Sequence, residues 1–470
     1  MNEHPFALEN LRQLFNYSSD IEIREADTMG NPSTFVYCKP LTDVSLIHSI
    51  VLPSIETSNS LYQSLQMEIY CKEEMDSEKI EQEIFSGKLM VIPFGEKIYL
   101  YNISKSPSRQ PDEAVTEVSI RGPKDGFVES IETNLGLIRK RLRTKSLVVE
   151  DYIIGKRTNT RISLLYLKDI INDQVLRDIQ NRLLALDIDI LTSTSMLMEQ
   201  IVDNKFSLIP IGNYSGRADF VAEALNQGRF TIIIDGAPTA LIAPINLSFL
   251  LKTSEDENTS FYYATIERIL RLAGLSITTF LPGFYTALIT HNVGQLPLPL
   301  IATITVSRMG LPFSPVIEIF LMLFMFELFR EGGARLPKGI GQTVAVLGGL
   351  IIGDAAIRGG ITSPATLVVI GVTAISSFTL INQSLAGNIF YVRLFVLLFS
   401  YFMGIYGFFI SLMFIILILA RTKSFGVPIL ADVSSQNGKD IWLSFFRPPF
   451  MFMKKRNASL GIKDGTRSGE

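Results

Sequence analysis

The last third of the chain differs from the rest in its pattern of hydrophobic and polar positions. A helix needs about 20 mostly apolar residues to cross a bilayer core. A soluble helix that is apolar on all sides is rare, so several apolar runs in succession favour membrane-spanning helices. The region from about Leu272 to Ala420 contains such runs at Val316–Phe329, Val344–Gly353, Leu367–Ile381 and Phe408–Ala420.

The pattern predicts four to six spans in this region. A shorter stretch, Gln295–Ser307, contains two prolines and is expected to form a broken or re-entrant helix. Arg330, Arg335 and Lys338 conflict with a simple six-span alternation, so the topology stays open. The predicted spans are Leu272–Thr290, Pro312–Phe329, Gly341–Ile357, Ile361–Ile381 and Phe390–Ala420, the last with bend points at Gly404 and Gly407.

The preceding half contains short segments with helical or strand patterns of apolar residues, which is typical of a soluble α/β region. Helices are predicted at Phe6–Phe15, from Asn59 to Tyr70 and at Ser77–Phe85, with a polar loop up to residue 30. Two predicted hairpins, Gly87–Ile103 and Gly228–Ile242, share glycine and apolar positions at a constant offset, and a short amphipathic helix precedes each. This favours two related subdomains, although the same local pattern also arises in unrelated proteins.

The predicted fold is therefore multidomain: an N-terminal soluble α/β region of two subdomains, followed by an α-helical transmembrane domain of four to six spans. The segment that leads to the first predicted span, Leu251–Arg271, begins with acidic residues that are expected to be exposed. Arg268 and Arg271, at its end, flank that span. The predicted divisions are residues 1–120 (first subdomain), 121–145 (basic helical connector), 146–250 (second subdomain), 251–271 (membrane approach), 272–423 (membrane domain) and 424–470 (cytoplasmic polar tail).

Composition excludes several classes of function. The net charge of −3 gives no basic field for nucleic acid, and Cys38 and Cys71 are too few for a disulfide framework. The three histidines are scattered, and no phosphate-binding loop or nucleophile motif is present, so we expect no metal, no cofactor and no catalysis. The first 30 residues lack the apolar core of a signal peptide, so the soluble region is expected on the cytoplasmic side.

Charged residues inside the predicted spans are the main functional candidates, because a charge at bilayer depth costs about 3 kcal/mol or more. Glu318 and Glu327 are nine residues apart on opposite helix faces, and Glu318 has no local partner. Intrahelical ion pairs and close glycine packing are the structural alternative. The candidate pore or gate residues are Glu318, Glu327, Arg330, Asp354, Arg358, Gly348, Gly349 and Gly353.

The connector is predicted to be helical from Phe127 to Leu142, with an apolar stripe and a basic end. The simpler interpretation is a linker helix with a solvated basic end. The alternative is a docking element for a partner or for anionic lipid, with Arg121, Arg139 and Arg141 as candidate residues.

Three long motifs resemble those of the A subunits of the GerA-type germinant receptors of endospore-forming bacteria. They are RGPKDGFVESIETNLGLIRKR (Arg121–Arg141), PFSPVIEIFLMLFMFELFREGGARLP (Pro312–Pro337) and GQTVAVLGGLIIGDAAI (Gly341–Ile357). The resemblance extends from roughly Lys88 to Lys423. Ser314 and Gly333 depart from the residues expected at those positions of the family motif.

The resemblance implies a multi-pass protein of the spore inner membrane, with its soluble region on the core side. It implies a transporter-like B subunit and a lipoprotein C subunit as partners, together with self-association. It further implies an A subunit that oligomerises into a cation-conducting channel and so triggers germination. The alternatives are a paralogous channel that amplifies germination without nutrient sensing, a non-conducting assembly scaffold, and a secondary transporter, for which the sequence shows no inverted repeat.

Overall fold

A computed structural model shows a two-part α/β region that carries a bundle of apolar helices. Both sheets are antiparallel and five-stranded. The helical half packs against the α/β region through a hydrophobic cluster that includes Leu275, Leu380, Leu385 and Ile389. The structure describes residues 8–28, 31–51, 67–71, 77–93, 97–105, 121–205, 207–334, 353–380, 382–434, 442, 446–447, 449, 456 and 458–466.

The first subdomain is built on a sheet with strand order β1-β2-β4-β5-β3. Two predictions are wrong here: residues 21–28 are a strand rather than loop, and residues 67–70 are strand rather than helix. Pairing decides both, because β1 aligns with all of β2 and β3 aligns with β5. The elements are α1 (Leu8–Leu14), β1 (Ile21–Thr28), β2 (Asn31–Cys38), β3 (Met67–Cys71), α2 (Ser77–Phe85), β4 (Lys88–Ile92) and β5 (Lys97–Asn102).

A connector helix and the second subdomain follow. Ser130 caps the connector helix α3, and its last turn carries three basic residues, as predicted. The second sheet has the order β6-β7-β9-β10-β8. The elements are α3 (Ile131–Arg141), β6 (Leu147–Ile154), β7 (Thr160–Leu167), α4 (Asp173–Leu184), α5 (Thr194–Ile201), β8 (Asn213–Ser215), α6 (Ala218–Asn226), β9 (Phe230–Ile234) and β10 (Ala240–Ala243).

The two sheets share one topology. In each, the first two strands form a hairpin, the third lies at the far edge, and the fourth and fifth form a second hairpin between them. A glycine with positive φ ends the helix before the fourth strand in both: Gly87 at +91° and Gly228 at +87°. The structural relationship that the matching hairpins predict is therefore present in the topology, although Gly95 lies outside the described residues.

A buried ion pair joins the first subdomain to the connector helix. Arg139 is 1% exposed and donates to both carboxylate oxygens of Asp20, at 2.6 and 3.0 Å. It also donates to Ser18 and to the carbonyl oxygens of Thr144 and Leu147. Because every nitrogen of this guanidinium has an acceptor, the joint fixes the two subdomains relative to each other.

The helical half begins earlier than predicted. The first long helix, α9, runs through Arg268 and Arg271 rather than starting after them, so part of the predicted approach at 251–271 belongs to this helix. The helices are α7 (Leu247–Leu250), α8 (Glu255–Asn258), α9 (Phe261–Thr290), α10 (Leu298–Arg308), α11 (Pro315–Ala334), α12 (Pro364–Ser377) and α13 (Gln383–Arg421). Within the described part of the chain, Phe261–Thr290 and Ser384–Arg421 are long and apolar enough to cross a membrane, and Leu298–Arg308 and Pro364–Ser377 are shorter apolar helices.

Helix α13 is a hairpin of two helices rather than one straight rod. Gly404 has φ +62° and ψ −139°, which interrupts the helix where a bend was predicted. The rings of Phe399 and Phe414 lie 6.3 Å apart, whereas a straight helix would separate these residues by about 22 Å. The first arm runs alongside α9, where Gly283 faces Val396, and the second arm turns back toward the soluble region.

The chain after α13 returns to the second subdomain. Ser424 donates to the carbonyl oxygen of Ile211 at 2.6 Å and accepts from the amide of Ile245 at 3.0 Å. Asp432 is fully buried and accepts from Asn246 and Ser248. Residues 424–432 of the predicted polar tail are thus packed against the second subdomain, and both ends of the helical half meet the α/β region on one side.

Candidate functional site

Glu318, the strongest candidate carboxylate, is fully buried where several helix ends meet. One of its oxygens accepts from Arg308 Nη2 at 2.9 Å. The other accepts from the backbone N–H of Ser363 and the hydroxyl of Thr366, both at 3.2 Å. We call these four residues the Glu318 site. The carboxylate therefore has partners, but they come from α10 and α12 rather than from its own helix.

Two helix breaks create this site. Residues 309–314 separate α10 from α11, and residues 359–363 separate a short helical stretch at 353–358 from α12. Gly310 and Gly360 adopt positive φ in these breaks. Glu318 lies in the first turn of α11 and at the capped N-terminus of α12, where the positive ends of helix dipoles favour a negative charge. The proline and glycine positions signalled the breaks, but Arg308 as partner required the tertiary structure.

Further hydrogen-bond donors surround the Glu318 site without a partner among the described residues. They are Arg308 Nη1, the hydroxyl of Thr362 and the hydroxyl of Tyr285. Thr362 is 1% exposed and directly precedes Ser363. Tyr285 faces Arg308, Glu318, Ser363 and Thr366. A buried polar group that lacks a partner costs about 1–3 kcal/mol, so a cluster of them marks a site with unused binding capacity.

A second group of charges joins α11 to α13. Glu327 contacts Arg330 in its own helix, as the spacing predicts, and its other oxygen lies 3.7 Å from Arg393. Arg393 is 2% exposed, and sequence analysis missed it. The available signal was a single arginine in an otherwise apolar run. Glu318 and Glu327 have different partners, which agrees with their predicted placement on opposite faces.

The remaining pore candidates lie elsewhere. Asp354 and Arg358 form the predicted i, i+4 pair at 2.8 Å, but their side chains are 59% and 79% exposed. Gly353 is buried, and a Cβ atom there would lie 3.1 Å from the side chain of Leu367, so it serves close packing. Gly348 and Gly349 lie outside the described residues.

A third charged group, which we call the root cluster, lies at the start of α9 and was not predicted. Asp256 is 1% exposed and accepts from Arg268 Nε and Arg271 Nη1, both at 2.8 Å. This corrects the prediction of an exposed acidic head. Burial alone would raise the pKa of Asp256, but the two guanidinium charges outweigh it and hold the pKa below its usual value. The fourth member, Arg447, donates to the carbonyl oxygens of Asp256, Glu257 and Thr259.

The three candidate docking arginines differ in their surroundings. Arg139 is buried in an ion pair with Asp20, so it is not available to a partner. This corrects its prediction as a docking residue. Arg141 binds both oxygens of Asp125 at 2.6 Å and is partly exposed. Arg121 is exposed, and its backbone N–H donates to Glu255.

No group of three or more His, Cys, Asp or Glu side chains that could hold a metal ion occurs among the residues that the structure describes. The two cysteines are free: Cys38 is buried, and Cys71 is exposed. The charged groups described above are ion pairs at or near helix ends.

The architecture defines a class of protein: an α/β region of two subdomains with the same sheet topology, attached to apolar helices that enclose carboxylate–guanidinium pairs. The sequence model of the Bacillus/Clostridium GerA spore germination proteins matches residues 9–459. The chain belongs to this family.

Relatives in the family extend over nearly the whole chain. It is 40% identical to spore germination protein XA of Bacillus anthracis, over 97% of this chain and 96% of the relative. It is 33% identical to spore germination protein KA of Bacillus subtilis (strain 168), over 96% and 86%. It is 31% identical to the uncharacterized membrane protein YfkQ of the same organism, over 98% and 92%.

A solved structure, the N-terminal domain of the A subunit of the Bacillus megaterium spore germinant receptor GerK3, is 27% identical and matches 50% of this chain and 93% of that one, with a TM-score of 0.37.

Proposed function

We propose that this chain is an integral-membrane A subunit of a spore germinant receptor, and that its helical half contributes to an ion-conducting path. Membership of the spore germination family supports the general assignment. The observation that carries the specific one is the Glu318 site, a buried carboxylate at two helix breaks. Charged groups held at such depth usually face protein or a water-filled path.

Several features support insertion in the membrane. Large apolar side chains on the helices point outward and have no cover in the described chain: Phe402 is 72% exposed, and Ile375 is 70% exposed. Exposed apolar surface of this kind is stable in contact with lipid or with further protein. A relative named as a membrane protein agrees with this. We place the chain in the spore inner membrane, with the soluble region on the core side.

The finer assignment concerns conduction and assembly. We infer self-association into a cation-conducting channel, together with a transporter-like B subunit and a lipoprotein C subunit. The Glu327–Arg393 contact ties α11 to the first arm of α13. Movement of one helix would therefore change the environment of the other, which is a requirement for a gate.

Conductance of the purified protein in planar bilayers tests this function, alone and together with the B and C subunits. We expect cation-selective currents, and we expect Glu318→Gln to change their size or selectivity because it removes a buried charge from the path. Asp187→Asn in the α/β region is the matched control, since its side chain is exposed, pairs with Lys156 at the surface and lies outside the apolar helices. The control should conduct like the unmodified protein.

The competing function is a non-conducting scaffold, which the buried root cluster favours because Asp256 holds two arginines in one geometry, as suits a rigid support. Absence of current in every combination of subunits would overturn the channel assignment and favour the scaffold. Currents that Glu318→Gln leaves unchanged would remove the Glu318 site from the conducting path.

A further inference from the structure

The Glu318 site contains more donors than its single carboxylate uses. Arg308, the amide of Ser363 and the hydroxyl of Thr366 already bind the two carboxylate oxygens. Arg308 Nη1 and the hydroxyls of Thr362 and Tyr285 remain without a hydrogen-bond partner among the described residues. The supply of donors around this point therefore exceeds the supply of acceptors.

The backbone adds to the same excess. Helix α12 is 14 residues long, and the amide of its N-cap residue, Ser363, donates to Glu318; helix α11 is 20 residues long and begins three residues before Glu318. Helix N-termini attract anions through their free N–H groups and their dipoles. The hydroxyl of Thr362, which is nine-tenths or more buried beside this terminus and has no partner among the described residues, is an independent sign of unused binding capacity.

Every spare group is suited to an anion. A guanidinium N–H can only donate, and the two hydroxyls can donate. The carboxylate that satisfies part of this set is attached to a side chain rather than to the backbone, so it can leave the site without unfolding α11. Its departure would expose a donor-lined position with a net positive charge from Arg308.

We propose that this donor set is a binding site for a small carboxylate anion, and that Glu318 fills it as a tethered occupant that a free anion can replace. The site is distinct from a cation-conducting role of Glu318 and holds whether or not the chain conducts. Its ligand is a monovalent group of the size of acetate or formate. Binding would release Glu318 and so change the contact between α11 and α12.

Chemical rescue tests the site. Glu318→Ala removes a CH2–COO⁻ group, and acetate has the same shape and charge. We expect sodium acetate to raise the apparent Tm of the purified full-length variant by about 2 °C or more over equal sodium chloride, since a ligand that binds the folded state stabilises it. Acetamide, the neutral analogue, should give no such shift.

Two further variants fix the location. Asp354→Ala removes an exposed carboxylate and should show no difference between acetate and chloride. Adding Thr362→Val to Glu318→Ala removes one spare donor, which Glu318 itself does not use, and should weaken acetate binding by about three- to tenfold, the value of one buried hydrogen bond. An equal acetate response with and without Thr362→Val would overturn the assignment of Thr362 to the site.

Competition with the tether is measured with isotopically labelled acetate and NMR. Acetate should bind the unmodified protein at least tenfold more weakly than Glu318→Ala, because the tethered carboxylate already occupies the position. Equal binding to both proteins would place acetate elsewhere, and no binding to the unmodified protein would show that a free anion cannot replace Glu318; either result would overturn the proposal.

Folding of the variant also decides the question. Recovery of Glu318→Ala from acetate buffers but not from chloride or acetamide supports the proposal, since the free anion then replaces the missing side chain. Failure to recover it in any buffer, while Glu318→Gln is recovered normally, would show that a free anion cannot take the place of Glu318.

Discussion

Two buried carboxylate–guanidinium pairs, Asp20–Arg139 in the soluble region and Glu318–Arg308 in the helical half, have the same chemistry but different surroundings. Both carboxylates are at most 1% exposed. Arg139 uses all three of its nitrogens, with five hydrogen bonds to neighbouring oxygens. Nη1 of Arg308 has no hydrogen-bond partner among the described residues, and the nearby hydroxyls of Thr362 and Tyr285 have none there either.

The Asp20–Arg139 pair is therefore a structural joint, whereas the Glu318–Arg308 pair belongs to a site whose hydrogen bonds can rearrange. A fully bonded buried pair loses several bonds at once if either partner moves, so it holds one geometry. A pair that lies beside unused donors can exchange one hydrogen-bond partner for another, so it has a second arrangement with a similar number of hydrogen bonds. The root cluster resembles the first kind, because Asp256 binds two arginines and Arg447 caps the carbonyl oxygens beside it.

The largest expected effect is at the joint between the subdomains. Asp20→Asn removes the charge that Arg139 binds and leaves a guanidinium buried without a counter-ion. We expect a loss of about 3–5 kcal/mol in the free energy of unfolding. The measurement is the unfolding of the full-length protein in detergent, followed by circular dichroism. A loss below about 1 kcal/mol would show that this ion pair contributes less to the free energy of unfolding than its burial and hydrogen bonds indicate.

Asp256→Asn should have a smaller effect, about 2–4 kcal/mol. Arg271 keeps its contacts with the Leu251 carbonyl oxygen and with Glu267, so only part of its bonding is lost. Because the folded pKa of Asp256 lies below its unfolded value, the contribution is present above the unfolded pKa and is lost as pH falls through the folded pKa. The stability difference between the two proteins should therefore shrink in acid, and a difference independent of pH would contradict this account.

Glu318→Gln should cost less again, about 1–2 kcal/mol. The amide oxygen still accepts from Arg308 or Ser363, and the side chain of Arg308 is 18% exposed, whereas that of Arg139 is 1% exposed, so a guanidinium without a counter-ion costs less here. The same unfolding measurement checks this. A loss as large as that of Asp20→Asn would remove the distinction between the two pairs.

Lys252 provides the smallest effect, and one of opposite sign. Burial and the charges of Arg268 and Arg229 lower its pKa to about 8. Its unfolded state binds more protons between pH 8 and the normal value of 10.5, so stability rises with pH across that window. Lys252→Met should stabilise the protein by about 1 kcal/mol at pH 7 and remove this rise, as unfolding at pH 7 and pH 9.5 would show.

A lysine-specific control completes this test. Lys156 pairs with Asp187 at the surface, and both side chains are about 70% exposed. Lys156→Met should therefore leave the pH dependence of stability unchanged. If both variants lose the dependence equally, its origin is the net charge of the protein rather than the position of Lys252.

Sequence patterns predicted the elements whose signals are local. The two hairpins, the helix at Ser77–Phe85 and the bend at Gly404 follow from periodicity and glycines, and all are confirmed. The connector helix is also present, but it begins at Ile131 rather than at the predicted Phe127. The strand at Met67–Cys71 and the partners of Glu318 were missed because residues distant in the chain decide them. The same holds for Arg393, whose importance depends on the helix beside it.

The sequence by itself determined the division of this protein into a soluble half and an apolar half, and its motifs placed it in the family. These properties depend on residue type and spacing. The preference of each side chain for water or an apolar environment, together with backbone geometry, decides from that pattern which helices and strands form. The tertiary structure alone decided which charges are saturated and which keep spare donors. That depends on how helices meet, because hydrogen bonds act over about 3 Å and sequence separation does not measure such distances.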